Sequence, residues 1–226
     1  MAPPPAPRSR VRLIGLAAVI VLLAAAAAWA WWQGGLGFTP PLPQDWRVML
    51  VNREHPAPQD WVVTPVTLAN GEVVDERIYP SLQQMFDDAR AQGIRPTVAS
   101  GYRDAAEQQR LLDAKVAALE AEGMSPDDAR AEALRWVAPP GASEHQLGIA
   151  VDINPEKGSP RPDDVYTWLA ERAPDYGFTL RYPEGKSDIT RVHHEPWHFR
   201  YVGEEAAKVM RERGQCLEEY LGVAGG

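Results

Sequence analysis

The chain has 226 residues, which is enough for one sizeable domain and a short appendage. Its 31 acidic residues outnumber its 23 basic residues, and the resulting net charge of −8 argues against nucleic acid as a partner. The single cysteine, Cys216, excludes an intramolecular disulfide and a multi-cysteine zinc site. We interpret Cys216 as a small buried hydrophobe in a C-terminal helix.

The N-terminal region predicts a membrane anchor and a linker. Residues 1–12 form a proline-rich, basic tail, and residues 13–32 carry no charge over 20 positions, long enough to span a bilayer core. Positive charge before this segment and a tryptophan cluster at its far end predict a single-pass signal-anchor with its N-terminus in the cytoplasm. Residues 33–45 then form a Gly/Pro-rich linker, and residues 46–226 form the domain, outside the cytoplasm. The alternative is a cleaved signal peptide, since Ala28–Ala30 resembles a cleavage site.

The domain is predicted to have an α+β fold. Hydrophobic spacing and capping residues predict helices over residues 81–92, 104–122, 125–137, 164–173 and 203–213. Strands are predicted over residues 94–100, 149–154, 176–182 and 198–202. Because strands and helices do not alternate regularly, we expect a small, mainly antiparallel sheet flanked by helices and carrying a metal site.

Two short stretches carry the residues that indicate chemistry. Residues 143–152 are S-E-H-Q-L-G-I-A-V-D, and residues 195–198 are E-P-W-H. Gly148 allows a sharp turn after His145, and the alternation that follows puts Asp152 on the strand face opposite the apolar side chains. Two histidines, an aspartate and a glutamate suit a catalytic zinc, which takes three protein ligands, an open position and a nearby carboxylate.

A second interpretation of the later stretch involves a helix. Residues 194–198 match H-E-x-x-H, which binds zinc through two histidines on one helix face. Such a helix would contain Pro196, which removes a hydrogen bond and clashes, at a cost of about 3 kcal/mol. The residues from His198 onward favour a strand. Both interpretations keep Glu195 and His198, but only the helical one makes His194 a ligand.

Three motifs in this order resemble the VanY-type D-alanyl-D-alanine carboxypeptidases. They are S-G-Y-R at residues 100–103, S-x-H-x-x-G-x-A-x-D and E-x-W-H. These enzymes belong to a wider group of zinc peptidases that includes lysostaphin-type enzymes and the hedgehog signalling domain. The resemblance implies that His145, Asp152 and His198 bind zinc and that Glu195 is the general base.

The resemblance covers roughly residues 48–221 and also implies substrate-binding residues. Arg103 would face the terminal carboxylate of the substrate or the charge that develops during hydrolysis, a task that suits a guanidinium fork. Gln108 matches a family position in the same pocket, although an exposed helix residue is the alternative. Ser143 would hydrogen-bond the substrate or hold its loop. At position 194 the family more often has a hydrophobic or aromatic residue. His194 is therefore either an outer-shell group or an alternative metal ligand.

The function implied by this resemblance is a zinc-dependent carboxypeptidase. It would remove the C-terminal D-alanine from peptidoglycan stem peptides, with Glu195 as general base on zinc-bound water, and the sequence does not separate D,D- from L,D-specificity. A peptidoglycan endopeptidase and a non-catalytic zinc-bearing binding module are the alternatives. Glu195 argues against the binding module, because a structural zinc site needs no free carboxylate. We expect a monomer that binds peptidoglycan stem peptides and contacts the membrane through its N-terminal helix.

Overall fold

The computed structural model describes residues 45–223. The predicted basic tail, the predicted transmembrane segment and nearly all of the predicted linker lie outside the described residues. Within residues 45–223, no helix combines the length and the apolar character that crossing a bilayer requires.

The described residues contain two antiparallel sheets. A two-stranded sheet pairs β1 (Pro65–Thr67) with β2 (Val73–Asp75). A four-stranded sheet has the order β3-β4-β6-β5, with strands β3 (Pro96–Ser100), β4 (Ala150–Pro155), β5 (Phe178–Leu180) and β6 (His198–Tyr201). Every pair in the larger sheet is antiparallel, so the predicted α+β fold with a small antiparallel sheet is confirmed.

Helices of the described part are α1 (Tyr79–Ala91), α2 (Ala105–Ala121), α3 (Pro126–Ala133), α4 (Pro162–Arg172), α5 (Ser187–Thr190), α6 (Glu204–Arg213) and α7 (Leu217–Tyr220). Short 3₁₀ turns cover Trp46–Val48, Glu144–Leu147 and Ala173–Tyr176. Helix α2 begins as predicted, because the Asp104 side chain caps the backbone N–H of Glu107. Cys216 is buried as predicted, but it caps α7 and lies just outside the helix.

One predicted helix is shorter than expected. The segment predicted as a helix to residue 137 leaves the helix after Ala133 and continues as turns. Two prolines, Pro139 and Pro140, follow within a few residues, and a residue before proline is disfavoured in the helical region. The apolar residues Trp136 and Val137 are therefore at the edge of a cavity and not on a helix face.

The main core lies between one face of the larger sheet and helices α1 and α4. The sheet contributes alternate residues whose side chains share this face, which are Val98, Val151, Ile153, Phe178 and Phe199. Helix α1 contributes Leu82, Met85, Phe86 and Ala89, and helix α4 contributes Val165, Trp168 and Leu169. Burying each large side chain of this kind stabilises the fold by about 1.5–3 kcal/mol.

The opposite face of the sheet positions polar residues in a row. The register pairs Ser100 of β3 with Asp152 of β4, and pairs Asp152 with His198 of β6. Directly opposed residues of an antiparallel pair have Cβ atoms about 4.5–5.5 Å apart. The sheet therefore brings together residues that are 46 positions apart in the chain, and it does so on the face away from the main core.

Candidate metal centre and active site

Three predicted ligands converge on one point. The Oδ1 atom of Asp152 lies 3.4 Å from Nε2 of His145 and 3.2 Å from Nδ1 of His198. The ligand atoms of these three residues all lie within 4.8 Å of one another, and both histidines are buried. Within residues 45–223, this is the one group of three histidine, cysteine or acidic side chains with that geometry.

These residues fit a zinc ion. Zinc bonds of about 2.0–2.2 Å in a tetrahedron place ligand atoms about 3.3–3.6 Å apart, close to the separations between Asp152 and the two histidines. Nε2 of His145 and Oδ1 of Asp152 are buried and have no hydrogen-bond partner. An unpaired buried polar atom costs about 1–3 kcal/mol, so two such atoms facing each other fit a site that binds a cation.

His145 is oriented by the S-G-Y-R segment. Its Nδ1 lies 2.7 Å from the carbonyl oxygen of Gly101, which can only accept a hydrogen bond. Nδ1 therefore carries the proton, and the lone pair of Nε2 faces Asp152. The backbone N–H of Arg103 in turn donates to the His145 carbonyl at 3.2 Å. The predicted turn after this residue is confirmed, because Gly148 adopts φ 69° at the end of the 3₁₀ turn.

Gly101→Ala is expected to weaken both folding and metal binding. A Cβ atom at Gly101 would lie 2.0 Å from the backbone oxygen of Val73, so the backbone would have to move. That movement displaces the carbonyl that orients His145. We expect a loss of about 1–3 kcal/mol in unfolding free energy, as for other overpacked sites, with weaker zinc binding. Denaturant unfolding and zinc titration measure the two effects. Gly123→Ala is the control for zinc binding, because alanine is strained at φ 100° there but the added Cβ has nothing within 4 Å, so stability is expected to fall without a loss of zinc affinity.

Arg103 lies beside the metal ligands, and each of its three guanidinium nitrogens donates a hydrogen bond. Nε donates to Ser100 Oγ at 2.9 Å, Nη1 donates to Gln108 Oε1 at 3.1 Å, and Nη2 donates to Asp152 Oδ2 at 2.8 Å. Asp152 thus uses one oxygen toward Arg103 and turns the other toward the histidines. Gln108 is buried and also donates to the Ala138 carbonyl at 2.7 Å. It therefore supports Arg103, and the alternative of an exposed helix residue is wrong.

Glu195 lies next to the three ligands, and the helical H-E-x-x-H interpretation is wrong. Oε2 of Glu195 is 3.4 Å from Nδ1 of His198, on the side of the ring that faces Asp152. Residues 194–197 form an irregular segment and a turn, and His198 is the first residue of β6. His194 lies outside the cluster, with Nδ1 2.9 Å from the Tyr182 carbonyl.

Burial and neighbouring charges shift the ionisation of the ligands. Burial lowers the pKa of His145. Burial alone would raise the pKa of Asp152, but the two histidines hold it well below its usual value. Burial opposes the charged form of His198, but the neighbouring carboxylates of Asp152, Glu144 and Glu195 raise its pKa well above the usual value. The negative charge of the cluster thus favours a cation at this point.

A cavity of about 540 Å³ opens over the cluster. Ser143, Arg103, Gln108 and Glu195 line it together with the three ligands, so the structure brings all the predicted site residues to one cavity. Helix α2 and the loop before Ser143 add a mostly apolar part of the lining, beside Lys115. The apolar residues there are Leu111, Ala114, Ala118, Trp136 and Val137. The cavity is large enough for a short peptide segment.

Beneath the cluster lies a buried charge network that the sequence analysis did not identify. Arg181 donates to Glu144 at 2.8 Å and to both oxygens of Glu218 at 2.9 and 2.7 Å. Arg200 lies 3.0 Å from the same oxygen of Glu144. All four side chains are almost completely buried. The sequence contained one indication of this network. Arg200 lies two residues after His198, on the same face of the predicted strand, and a buried arginine there would need a partner of opposite charge.

Arg181→Met is expected to destabilise the protein by about 3–5 kcal/mol, because it leaves two buried carboxylates without their shared partner. Chemical denaturation measures the loss. Lys186→Met is the matched control, because Lys186 pairs with Glu219 at 2.8 Å but is partly exposed. Partly exposed pairs of this kind contribute about 0–1 kcal/mol. A loss for Arg181→Met no larger than for the control would contradict the expected role of the network.

The fold and the cluster define a class of protein, an α+β domain with a His–Asp–His metal site and an adjacent carboxylate, which is the arrangement of a hydrolytic metal centre. The sequence profile of the VanY family, described as D-alanyl-D-alanine carboxypeptidase, matches residues 71–204, more than half of the chain. The chain belongs to the VanY D-alanyl-D-alanine carboxypeptidase family.

Relatives with curated names support this assignment. A D-alanyl-D-alanine carboxypeptidase of Enterococcus faecalis is 52% identical over 178 residues, which are 79% of this chain and 66% of the relative. The bifunctional D-Ala-D-Ala dipeptidase and carboxypeptidase VanXYC of Enterococcus gallinarum is 32% identical over 76% of this chain and 92% of its own length. The chain thus spans about two thirds of the length of the first relative.

Solved structures agree with the family assignment. VanYB in complex with D-alanine-D-alanine is 51% identical and matches 79% of this chain and 98% of its own, with a TM-score of 0.77. A D,D-pentapeptidase VanY mutant in complex with Zn(II) has the same identity and TM-score. The LD-carboxypeptidase LdcB is 32% identical and covers 78% of this chain, with a TM-score of 0.61.

Proposed function

We propose that this protein is a zinc-dependent D,D-carboxypeptidase that removes the C-terminal D-alanine from peptidoglycan stem pentapeptides. The observation that carries the proposal is the convergence of the ligand atoms of His145, Asp152 and His198 beside the Glu195 carboxylate, in a chain of the VanY family. Two nitrogen ligands and one oxygen ligand form a donor set that zinc accepts, with an open position for substrate.

Similarity supports D,D- over L,D-specificity. The structures named for VanYB and for the VanY D,D-pentapeptidase are 51% identical to this chain, with TM-scores of 0.77. The structure named as an LD-carboxypeptidase is 32% identical, with a TM-score of 0.61. The D,D- and L,D-enzymes share the fold, so the higher sequence identity to the D,D-enzymes is what favours D,D-specificity. Incubation with the two stem peptides distinguishes the two specificities.

The chemistry of hydrolysis divides between the metal and the side chains. When bound, zinc supplies a Lewis acid and lowers the pKa of a water at its open position toward about 7. Glu195 lies beside the ligands, with Oε2 3.4 Å from His198 Nδ1, so its carboxylate could accept a proton from the attacking water and give it to the leaving amine. Because Glu195 is buried, its carboxylate already lies inside the site and does not have to move there from the solvent.

Arg103 supplies positive charge beside Asp152. Its guanidinium is held by Ser100, Gln108 and Asp152, and it still lines the cavity. A charge that is fixed in advance can stabilise a developing oxyanion or a terminal carboxylate without reorganisation. Ser143 lines the same cavity, which supports a contact with the substrate.

Incubation of the full-length, zinc-loaded protein with stem pentapeptide and, separately, with stem tetrapeptide tests the proposal. Mass spectrometry is expected to find the loss of one alanine from the pentapeptide and no change in the tetrapeptide. Loss from the tetrapeptide alone would contradict D,D-specificity and favour the L,D-class. Cleavage of cross-linked dimers without loss of alanine would instead favour an endopeptidase, and zinc binding without any cleavage would favour a binding module.

We also propose that the catalytic domain lies outside the cytoplasm, anchored by residues 13–32. The support is the uncharged length of this segment, the basic residues before it and the tryptophans at its end. Protease treatment of intact spheroplasts tests the proposal. Digestion of the domain is expected, and protection until lysis would contradict it. The expected monomeric state stays a prediction, which light scattering of the purified protein would check.

A further inference from the structure

We infer that Glu144 is a positioning residue for the metal centre, and that its carboxylate accepts the Nε2–H of His198. This contact would hold the imidazole in the tautomer and the orientation that turn Nδ1 toward the metal. The inference rests on the metal centre proposed above. It concerns a residue within the zinc motif for which the sequence analysis found no role.

The two nitrogens of His198 face different surroundings. Nδ1 points into the cluster, 3.2 Å from Asp152 Oδ1 and 3.4 Å from Glu195 Oε2. Nε2 points away from the cluster and is buried without a hydrogen-bond partner. The carboxylate oxygen that faces it is Glu144 Oε2, at 3.8 Å, and this oxygen is also buried without a partner.

The chemistry of an imidazole ligand makes these two atoms complementary. A neutral histidine that binds a metal through Nδ1 carries its proton on Nε2, which is then a donor. An ionised carboxylate can only accept. A distance of 3.8 Å is longer than a hydrogen bond, so the two groups need to approach by about 1 Å to reach the usual separation of 2.7–3.2 Å.

The surroundings of Glu144 leave one oxygen for this purpose. Oε1 accepts from Arg181 at 2.8 Å and lies 3.0 Å from Arg200, so both cations share the same oxygen. Arg200 is itself fixed, because its Nη2 donates to backbone carbonyls of residues 46, 47 and 49. The carboxylate is therefore anchored through Oε1, which leaves Oε2 on the side of His198.

One 3₁₀ turn would then serve both histidine ligands. Glu144 and His145 are neighbours in the turn Glu144–Leu147. His145 is a ligand, and its own ring is oriented by the Gly101 carbonyl. The adjacent Glu144 would orient the second histidine from below the cluster. Each imidazole then has an acceptor on the nitrogen that does not face the metal, as histidine ligands usually have.

Glu144→Gln and Glu218→Gln form a matched pair of variants. Each removes one buried negative charge from a partner of Arg181, but only Glu144 faces His198. A glutamine at position 144 offers one acceptor oxygen where the carboxylate offers two. Its NH₂ group must therefore face either the two arginines or the Nε2–H of His198.

The test is zinc affinity of the full-length protein by competition with a chelating dye, with the melting temperature of the zinc-free protein measured alongside. Glu144→Gln is expected to lower zinc affinity about 10- to 100-fold, the usual effect of losing an outer-shell partner. Glu218→Gln is expected to lower the melting temperature while changing zinc affinity less than about threefold. Equal losses of affinity in both variants, or none in Glu144→Gln, would overturn the inference.

A measurement on the unaltered protein keeps the inference testable if the variants fail to fold. Nitrogen-15 NMR of zinc-loaded, histidine-labelled protein distinguishes a ring bound through Nδ1 from one bound through Nε2. A hydrogen-bonded, slowly exchanging Nε2 proton on the ring bound through Nδ1 is expected. A rapidly exchanging proton at that position would overturn the inference. Both readouts are independent of peptide hydrolysis, so a failure of the proposed activity is recognised separately.

Discussion

Glu195→Gln is expected to release D-alanine from stem pentapeptide about 10²- to 10⁴-fold more slowly than the unaltered protein, which is the usual contribution of a general acid–base group. Glutamine keeps the size of the side chain but cannot accept the proton. The three ligand atoms belong to other residues, so zinc affinity is expected to stay within a few-fold. The measurement is kcat by quantification of released D-alanine at saturating pentapeptide.

The control for this variant is Glu184→Gln, which makes the same substitution at an exposed position two residues beyond Tyr182. We expect its kcat and zinc affinity to match those of the unaltered protein. A Glu195→Gln variant that keeps full activity with zinc bound would mean that another group moves the proton. A variant that loses zinc would assign Glu195 to metal binding instead of proton transfer.

His145→Ala is expected to lower zinc affinity more than about 100-fold, beyond the effect of losing an outer-shell partner, and to lower activity in proportion at limiting zinc. The imidazole Nε2 faces Asp152 Oδ1 at 3.4 Å and has no other partner, so its removal deletes one of the three ligands. Equilibrium dialysis against buffered zinc measures the affinity.

His194→Ala is the matched control. The helical H-E-x-x-H interpretation predicts the opposite result, in which His194 is a zinc ligand and His145 is not. His194 contacts the Tyr182 carbonyl and lies outside the cluster, so its removal is expected to leave zinc affinity unchanged within about threefold. A large loss in His194→Ala together with a small loss in His145→Ala would contradict the observed cluster.

Local pattern, together with the resemblance of three motifs to the VanY family, predicted the residues of the site. Alternation placed Asp152 opposite the apolar side chains, and Pro196 argued against a helix that would have made His194 a ligand. Both predictions are confirmed by the geometry, because Asp152 faces the two histidines and residues 194–197 are not helical. Such patterns are readable because they depend on backbone geometry within a few residues.

Long-range pairing was not readable in this way. Glu144 meets Arg181 37 positions away, and both arginines of the network are buried only because the strands assemble around them. His193 is partly buried, with Nε2 2.9 Å from an oxygen of Glu132, which is 61 positions away in the chain. The pairing of charged side chains depends on which helices and strands pack together, and the spacing of residues within one segment does not predict that packing.

Crystals of the protein grown with zinc, measured on both sides of the zinc absorption edge, test the central claim most directly. The account predicts one strong anomalous peak about 2.0–2.2 Å from His145 Nε2, Asp152 Oδ1 and His198 Nδ1. A peak bound by His194, or no peak between these three atoms at saturating zinc, would contradict the assignment of the metal centre.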